Sequence, residues 1–211
     1  MNKRLFTLAM VVLFISIFLG CAKTDAKTAS SLNPDGTVGK VEWGMTADEV
    51  RKILGPEVKE LASGTLMLEN FSLLGESTTV LFDFEKEGLE ISEARLVTIE
   101  LTFPESSETS ALVGKISKVF GAKEALPQEY QYWHSAQSLM DVLNETEKSE
   151  ARTIAEKSLG KELNDSDYNQ WLSDQWLFTA VLDIVPISEG KKSMYIHAYG
   201  SLLAQVLKEQ L

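Results

Sequence analysis

Two runs of strict alternation restrict what this chain can become. From Thr78 to Glu85, Val80, Phe82 and Phe84 fall on one side of an extended backbone and Thr79, Leu81 and Asp83 on the other. From Arg95 to Phe103 the pattern recurs, with Val97, Ile99, Leu101 and Phe103 set against Leu96, Thr98, Glu100 and Thr102. Side chains of a strand point alternately to opposite faces, so an apolar set at period two dictates strands with one buried face. Glu87-Gly88 supplies a turn between them, which makes the pair antiparallel neighbours. Leu66 to Leu74 reads as a third strand, and Pro104 closes the unit. Such a sheet must cover its apolar face, and helical signals lie directly before and after it.

The first is Trp43-Gly44-Met45-Thr46-Ala47-Asp48-Glu49-Val50-Arg51-Lys52-Ile53-Leu54-Gly55-Pro56. Thr46 and Glu49 have the spacing of a capping box, and Met45 and Val50 that of a hydrophobic staple. Val50, Ile53 and Leu54 form an apolar stripe, Gly55 suits the C-terminal cap, and Pro56 cannot continue the helix. The second helix runs from Thr109 to Phe120, with Leu112, Val113, Ile116, Val119 and Phe120 apolar and Gly121 as its stop.

The two helices share a pattern. Val50-Arg-Lys-Ile-Leu-Gly55 and Ile116-Ser-Lys-Val-Phe-Gly121 agree at an offset of 66, and Thr79 to Phe84 resembles Thr179 to Ile184 at an offset of 100. Gly88 and Gly190 follow as turns, and Ser193 to Tyr199 supplies another alternating strand. A helix followed by a hairpin is thus written twice, and the difference of 34 between the offsets predicts an insertion of that size in the second copy. Ser135 to Leu159, free of Gly and Pro, is read as that inserted helix, with Leu139, Leu143, Ile154 and Leu159 as its apolar stripe. Asn164 and Asp165 then cap a short helix reaching Leu172. The expected fold class is α+β, in two helix-plus-antiparallel-sheet repeats at 41–104 and 105–211, the second holding a helical insertion near 135–160.

Residues 1–20 stand outside this scheme. Lys3 and Arg4 precede an apolar run, Leu5 to Leu19, that is short for a membrane span and suits a signal peptide. It ends at Gly20-Cys21, which resembles the lipobox of bacterial lipoproteins, where cleavage precedes a Cys that carries diacylglycerol. An uncleaved N-terminal anchor with an incidental Cys is the other reading. Either way the rest of the chain lies outside the inner membrane. If the cell has two membranes, Ala22 lacks the Asp that resembles an inner-membrane retention signal, so the outer membrane, facing the periplasm, is the destination. With one membrane, it is the outer face of the cytoplasmic membrane. Residues 21–40, with Asn33-Pro34-Asp35-Gly36 as a turn, are read as the lipidated Cys and a flexible tether, whose roughly 18 residues would span about 23 Å as a coil.

Losing Lys3 and Arg4 with the signal takes the net charge from −11 to −13. Such a surface repels phosphate backbones, which argues against nucleic acid, and disfavours anionic lipid, leaving the acyl group as the membrane contact. Cys21 is the sole cysteine, so no intrachain disulfide forms and the core holds the fold unaided.

Gly44-Met45-Thr46-x-x-Glu49-Val50-x-x-x-Leu54-Gly55, soon after a lipoprotein signal, resembles the BamE/SmpA/OmlA family of outer-membrane assembly lipoproteins. The tandem arrangement is similar to the beta-lactamase inhibitory protein fold, whose halves each pair helices with an antiparallel sheet. The likeness covers one helix and the pattern of strands. It departs from BamE proteins in having two units and an insertion. What it implies is an envelope lipoprotein that binds or scaffolds another protein.

Signals of chemistry are sparse. The two histidines, His134 and His197, could form a metal site or acid–base pair only if they met in space. Otherwise they are polar positions on strands. Asp165-Ser-Asp167-Tyr-Asn169 imitates half a calcium loop, but the required Gly and Glu positions hold Gln170 and Trp176, so capping explains the acids better. No Gly-x-Ser-x-Gly elbow or phosphate-cradling loop occurs, and no catalytic residue, cofactor or metal is assigned. Tyr130, Tyr132, Trp133, Trp171 and Trp176 are the candidates for partner contact, since Tyr and Trp concentrate at interfaces. Core and sheet-edge packing is the competing explanation. The function expected is non-catalytic protein binding in the envelope. The alternative is a small extracytoplasmic hydrolase or ligand carrier, which would need an enclosed pocket.

Overall fold

Among the described residues the alternating runs form the middle of a seven-stranded, wholly antiparallel sheet, and six helices make the fold α+β. The computed structural model describes residues 31–86, 91–123, 130–183 and 191–211. Helix α1 is Ala47–Leu54, followed by β1 (Lys59–Glu60), β2 (Leu66–Leu73), β3 (Glu76–Glu85) and β4 (Arg95–Phe103). Helix α2 (Thr109–Phe120) leads to β5 (Tyr130–His134). Three helices follow, α3 (Leu139–Val142), α4 (Glu145–Leu159) and α5 (Asp165–Asp174), before β6 (Thr179–Asp183), β7 (Lys192–His197) and α6 (Tyr199–Gln210). The sheet order is β1-β2-β3-β4-β7-β6-β5. The turns expected at Glu87-Gly88 and Gly190, and the first 30 residues with Cys21, lie outside the described residues.

One face of the sheet is dry. Val80, Phe82, Ile99, Leu101, Phe103, Ala180, Leu182, Met194 and Ile196 are buried there together with Val50 of α1 and Leu112 and Ile116 of α2. The capping box of α1 is present: Thr46 Oγ1 accepts from the Glu49 N–H, and Glu49 accepts from the Thr46 N–H at 2.8 Å. The Thr46 backbone N–H and, after it, the Thr46 hydroxyl, both donating to the carboxylate, hold the Glu49 carboxyl below its usual range. Gly44, at φ 79°, lets the chain turn so that its N–H donates to Leu96 O while Met45 O accepts from the Leu96 N–H. The helix is thereby docked on the start of β4.

A second apolar cluster lies at one end of the sheet. Its residues come from α3 to α6 and include Leu139, Leu172, Leu202, Leu203 and Val206, with Val97 from β4. Topology explains the location. The end of β5, the start of β6, the end of β7 and the start of β4 align through His134↔Thr179↔His197↔Thr98, so the helices that leave and enter these strands gather at one end.

Several expectations need correction. The tether does not extend to residue 40: Leu32 pairs with Val38 across the Asn33–Gly36 turn, and Leu32, Val38 and Val41 are buried in the main core. Asp35 Oδ1 accepts from the Thr37 N–H and hydroxyl, and the Trp43 indole N–H donates to Asp35 O at 2.8 Å. Ile53 is 38 % exposed, because α1 rests on Val50 and, partly, Leu54. Leu96, expected outward, is buried because a bulge between Asp83 and Phe84 passes from Thr98 to Leu96 and leaves Val97 over. The segment 135–159 is two helices: Leu143 is extended, and Asn144 starts a new helix by accepting from the Thr146 and Glu147 N–H groups. Of its proposed stripe, Leu159 is exposed. The last strand stops at His197, and α6 takes over two residues later.

Candidate interaction face

The other face of the sheet carries the side chains of opposite parity. Its middle row crosses Met67, Leu81, Glu100, Tyr195, Val181 and Tyr132 in register. The row nearer the helical end holds Asp83, Thr98, His197, Thr179 and His134, and the far side holds Thr79, Thr102, Ser193 and the paired Asp183 and Tyr130. None of Met67, Leu81, Tyr132, Val181 and Tyr195 belongs to either apolar cluster, so among the described residues no helix packs on them. Tyr195 is 39 % exposed and Tyr130 42 %, both beyond what core packing leaves to an aromatic ring.

Glu100 sits at the centre. Burial, helped by the charge of Asp83, raises its carboxyl above the usual range, outweighing the Tyr195 and Ser193 hydroxyls, which favour its charged form. Burial and the neighbouring Glu100 raise the Tyr195 phenol in turn. Asp83 accepts from the Thr65 hydroxyl at 2.5 Å. Asp183 is buried despite its outward parity. The fifteen positions that β3 to β7 contribute to these three rows include no lysine or arginine, and Arg95, beyond the bulge of β4, donates to Gly44 O and pairs with Glu209.

The aromatic candidates divide. Tyr130 and Tyr132 lie on this face, and Trp176 joins them by stacking on His134 at 3.9 Å, with the Tyr132 ring 6.0 Å from the same imidazole. Trp133 is 1 % exposed on the opposite side, its indole N–H donating to Ser117 Oγ of α2. It is a core residue and cannot meet a partner. Trp171 is in the helical cluster, stacked on Tyr168 at 6.2 Å, away from the other candidates. The Tyr168 ring also faces Arg152, and burial pushes its phenol up to about 12.

The histidines do not meet. Strand β6 lies between them, which sets their backbones about 10 Å apart. His197 Nδ1 is 2.9 Å from Thr98 Oγ1, and His134 Nδ1 is 2.7 Å from Ser135 O. The acids that imitate a calcium loop have other partners: Asp165 pairs with Arg152 at 2.9 Å, and Asn164 caps α5 by accepting from the Asp167 N–H. Among the described residues no group of three or more His, Cys, Asp or Glu is placed to hold a metal. Two cavities among the described residues lie elsewhere: a groove of about 140 Å³ lined by Ile154, Val206 and Leu207, and a broader open one of about 420 Å³ along α6 lined by Val142, Leu177 and Ala204. Neither contains a histidine or a paired set of carboxylates.

Sequence reasoning missed Glu100, Tyr195 and His197 as parts of one surface. The alternation put each on the outward side of its strand. Only the pairing of β4 with β7, which joins residues about 95 positions apart, puts them side by side. Among the described residues, no helix is long and apolar enough to cross a membrane. No protein-family model, curated protein or solved structure matches the chain.

Proposed function

We propose that the chain is a lipid-anchored, non-catalytic module of the cell envelope, resembling the BamE-type lipoproteins, that binds another protein through the open face of its sheet. The observation that carries this reading is the face itself: a broad surface with Leu81, Val181, Tyr132 and Tyr195 in one row and no described helix upon it. Such a surface suits a protein, whereas a small substrate needs enclosure. Attachment is assigned to diacylglycerol on Cys21, with the acyl chains as the membrane contact.

The module is read as two copies of one helix-plus-sheet unit. Pairing registers support this. Leu66↔Phe82 and Val80↔Leu101 in one half answer to Gln131↔Leu182 and Ala180↔Ile196 in the other. Where the halves join, Ile99↔Ile196 and Leu101↔Met194 lie symmetrically about Glu100↔Tyr195. The helix stops agree as well, Gly55 at φ 81°, ψ −166° and Gly121 at φ 89°, ψ −159°. On this reading the second copy's extra helices enter between β5 and β6, and not directly after α2.

Two measurements test the proposal. Cys21→Ser should abolish incorporation of a labelled fatty acid and leave unprocessed precursor; normal maturation would remove the lipoprotein assignment. Affinity capture of the lipidated protein from its own membranes should yield a partner that is lost on Val181→Arg and kept on Glu150→Arg, which lies on the exposed side of α4. A partner insensitive to Val181→Arg and lost on Glu150→Arg would move the binding site to the helical layer.

A further inference from the structure

We propose that the protein bound by this face presents a lysine- or arginine-bearing segment whose cationic group seats over Glu100 and Tyr195. The inference rests on the protein-binding reading and adds the chemistry of what is bound. Charge selects the occupant. The fifteen positions that β3 to β7 contribute to the three rows place Asp83 and Glu100 near each other and include no lysine or arginine. Asp83 and Glu100 lie close enough for the charge of one to act on the other. Two half-buried carboxylates in mutual repulsion are relieved by a cation, and less so by water or a neutral group.

The surroundings fit the rest of such a side chain. The Tyr195 ring offers a partly exposed π face beside Glu100, which adds cation–π attraction. Leu81 on one side and Val181 on the other, in the same row, give an apolar bed for the methylene stem. Tyr132 ends the row with a second aromatic surface. A second copy of the chain is a poor occupant, because face-to-face docking sets these carboxylates against their own likenesses on a chain of net charge −11. Anionic lipid and nucleic acid are repelled for the same reason.

Peptide titration of the full-length protein in detergent micelles tests the chemistry, followed by amide shifts in ¹⁵N-correlated NMR spectra. The probe is the acetylated, amidated peptide Arg-Trp-Thr-Arg-Val, and its control has Glu in place of both Arg residues. The Arg peptide should move the amides of Glu100, Val181 and Tyr195, and the Glu peptide should not. Asp83→Asn with Glu100→Gln should weaken binding at least tenfold, while Glu145→Gln with Glu150→Gln, equal in charge change and placed on α4, should leave it unchanged. Equal weakening by both pairs, or none by the first, overturns the proposal. A photo-crosslinking residue at position Val181 or Tyr132 then separates this inference from its premise in cells. A protein crosslink lost with Asp83→Asn and Glu100→Gln supports both. A crosslink that survives these substitutions removes the cationic segment and keeps protein binding. No protein crosslink from either position removes both.

Discussion

Helix α6 enters the fold under a backbone that leaves no room for one carbon atom. At Gly200 an added Cβ would stand 2.2 Å from Trp176 O, 2.9 Å from Trp176 C and 3.1 Å from Leu177 Cα. A carbon–oxygen contact normally closes to roughly 3.3–3.6 Å, so Gly200→Ala requires a shift of about 1 Å between two backbones. The next residue ties the same backbones together: the Ser201 N–H and hydroxyl both donate to Leu177 O, at 3.0 and 2.9 Å. Overpacking of this kind costs about 1–3 kcal/mol, and loss of those bonds about 1 kcal/mol each. The helix propensity of Ala returns at most about 1 kcal/mol. The net expectation is a loss of about 2–4 kcal/mol. Gly114 provides the control. It is exposed in the middle of α2 with nothing within 4 Å of a built Cβ, so Gly114→Ala should gain about 0.5–1 kcal/mol. Thermal and urea unfolding of the full-length variants, followed by far-ultraviolet circular dichroism, reads both. At about 2–4 °C per kcal/mol for a domain of this size, the midpoints should move in opposite directions by several degrees. A Gly200→Ala protein as stable as its parent would show that α6 is not seated on the 176–177 backbone, and the packing account of the helical layer would fail.

Other substitutions test other parts of the fold. Val50→Ala should cost roughly 1–3 kcal/mol, because Val50 is the fully buried contact of α1, whereas Ile53→Ala should stay within about 0.5 kcal/mol; equal losses in urea unfolding would contradict the observed helix rotation. Gln131 is buried with Oε1 unpartnered, at the position that pairs with Leu182 as Leu66 pairs with Phe82, so Gln131→Leu should raise stability by about 1 kcal/mol; a lower melting midpoint would count against the repeat as well as the packing. Glu100 binds its proton more tightly in the folded state than in the unfolded one. Its contribution to stability is therefore full below the ordinary carboxylate range and falls as pH rises through the raised folded value. Glu100→Gln should flatten that part of the stability–pH curve and raise the melting midpoint at neutral pH, and an unchanged curve would mean that the carboxylate is not desolvated.

Much of the core was legible because it rests on local pattern. The limits of α1 and α2, the strands from 66 to 103 and the inward set Val80, Phe82, Ile99 and Leu101 all follow from period and punctuation. What escaped depends on contacts between distant segments. Leu32, Val38 and Val41 have no periodicity, and they share one side only after the chain doubles back between them. Tyr130 to His134 is a strand because β6 pairs with it. Helix α6 was readable, since Leu202, Leu203, Val206 and Leu207 recur at helical spacing. The alternation of Ser193 to His197, carried two residues too far, obscured its start. Among the aromatic candidates, composition could not separate Trp133 from Tyr132, adjacent residues that the strand sends to opposite faces.

The joint between β4 and β7 has a further consequence during folding. Thr98 pairs with His197 and Phe103 with Lys192, partners 99 and 89 positions further along the chain. When the first half has formed, its strand Thr98-Ile-Glu-Leu-Thr-Phe103 presents an unpaired edge until almost the whole chain has followed. Long unpaired edges rich in β-branched and aromatic residues invite other copies of the same strand. Glu100 is the single charge on this one. Two such edges meeting antiparallel in the register that β7 will use would set Glu100 against Glu100, and like charges directly opposite repel. The intended partner offers the uncharged Tyr195 at that position, whose hydroxyl favours the carboxylate. Replacing Glu100 with an apolar residue should therefore favour association between half-folded chains, read as loss of refolding yield with rising protein concentration.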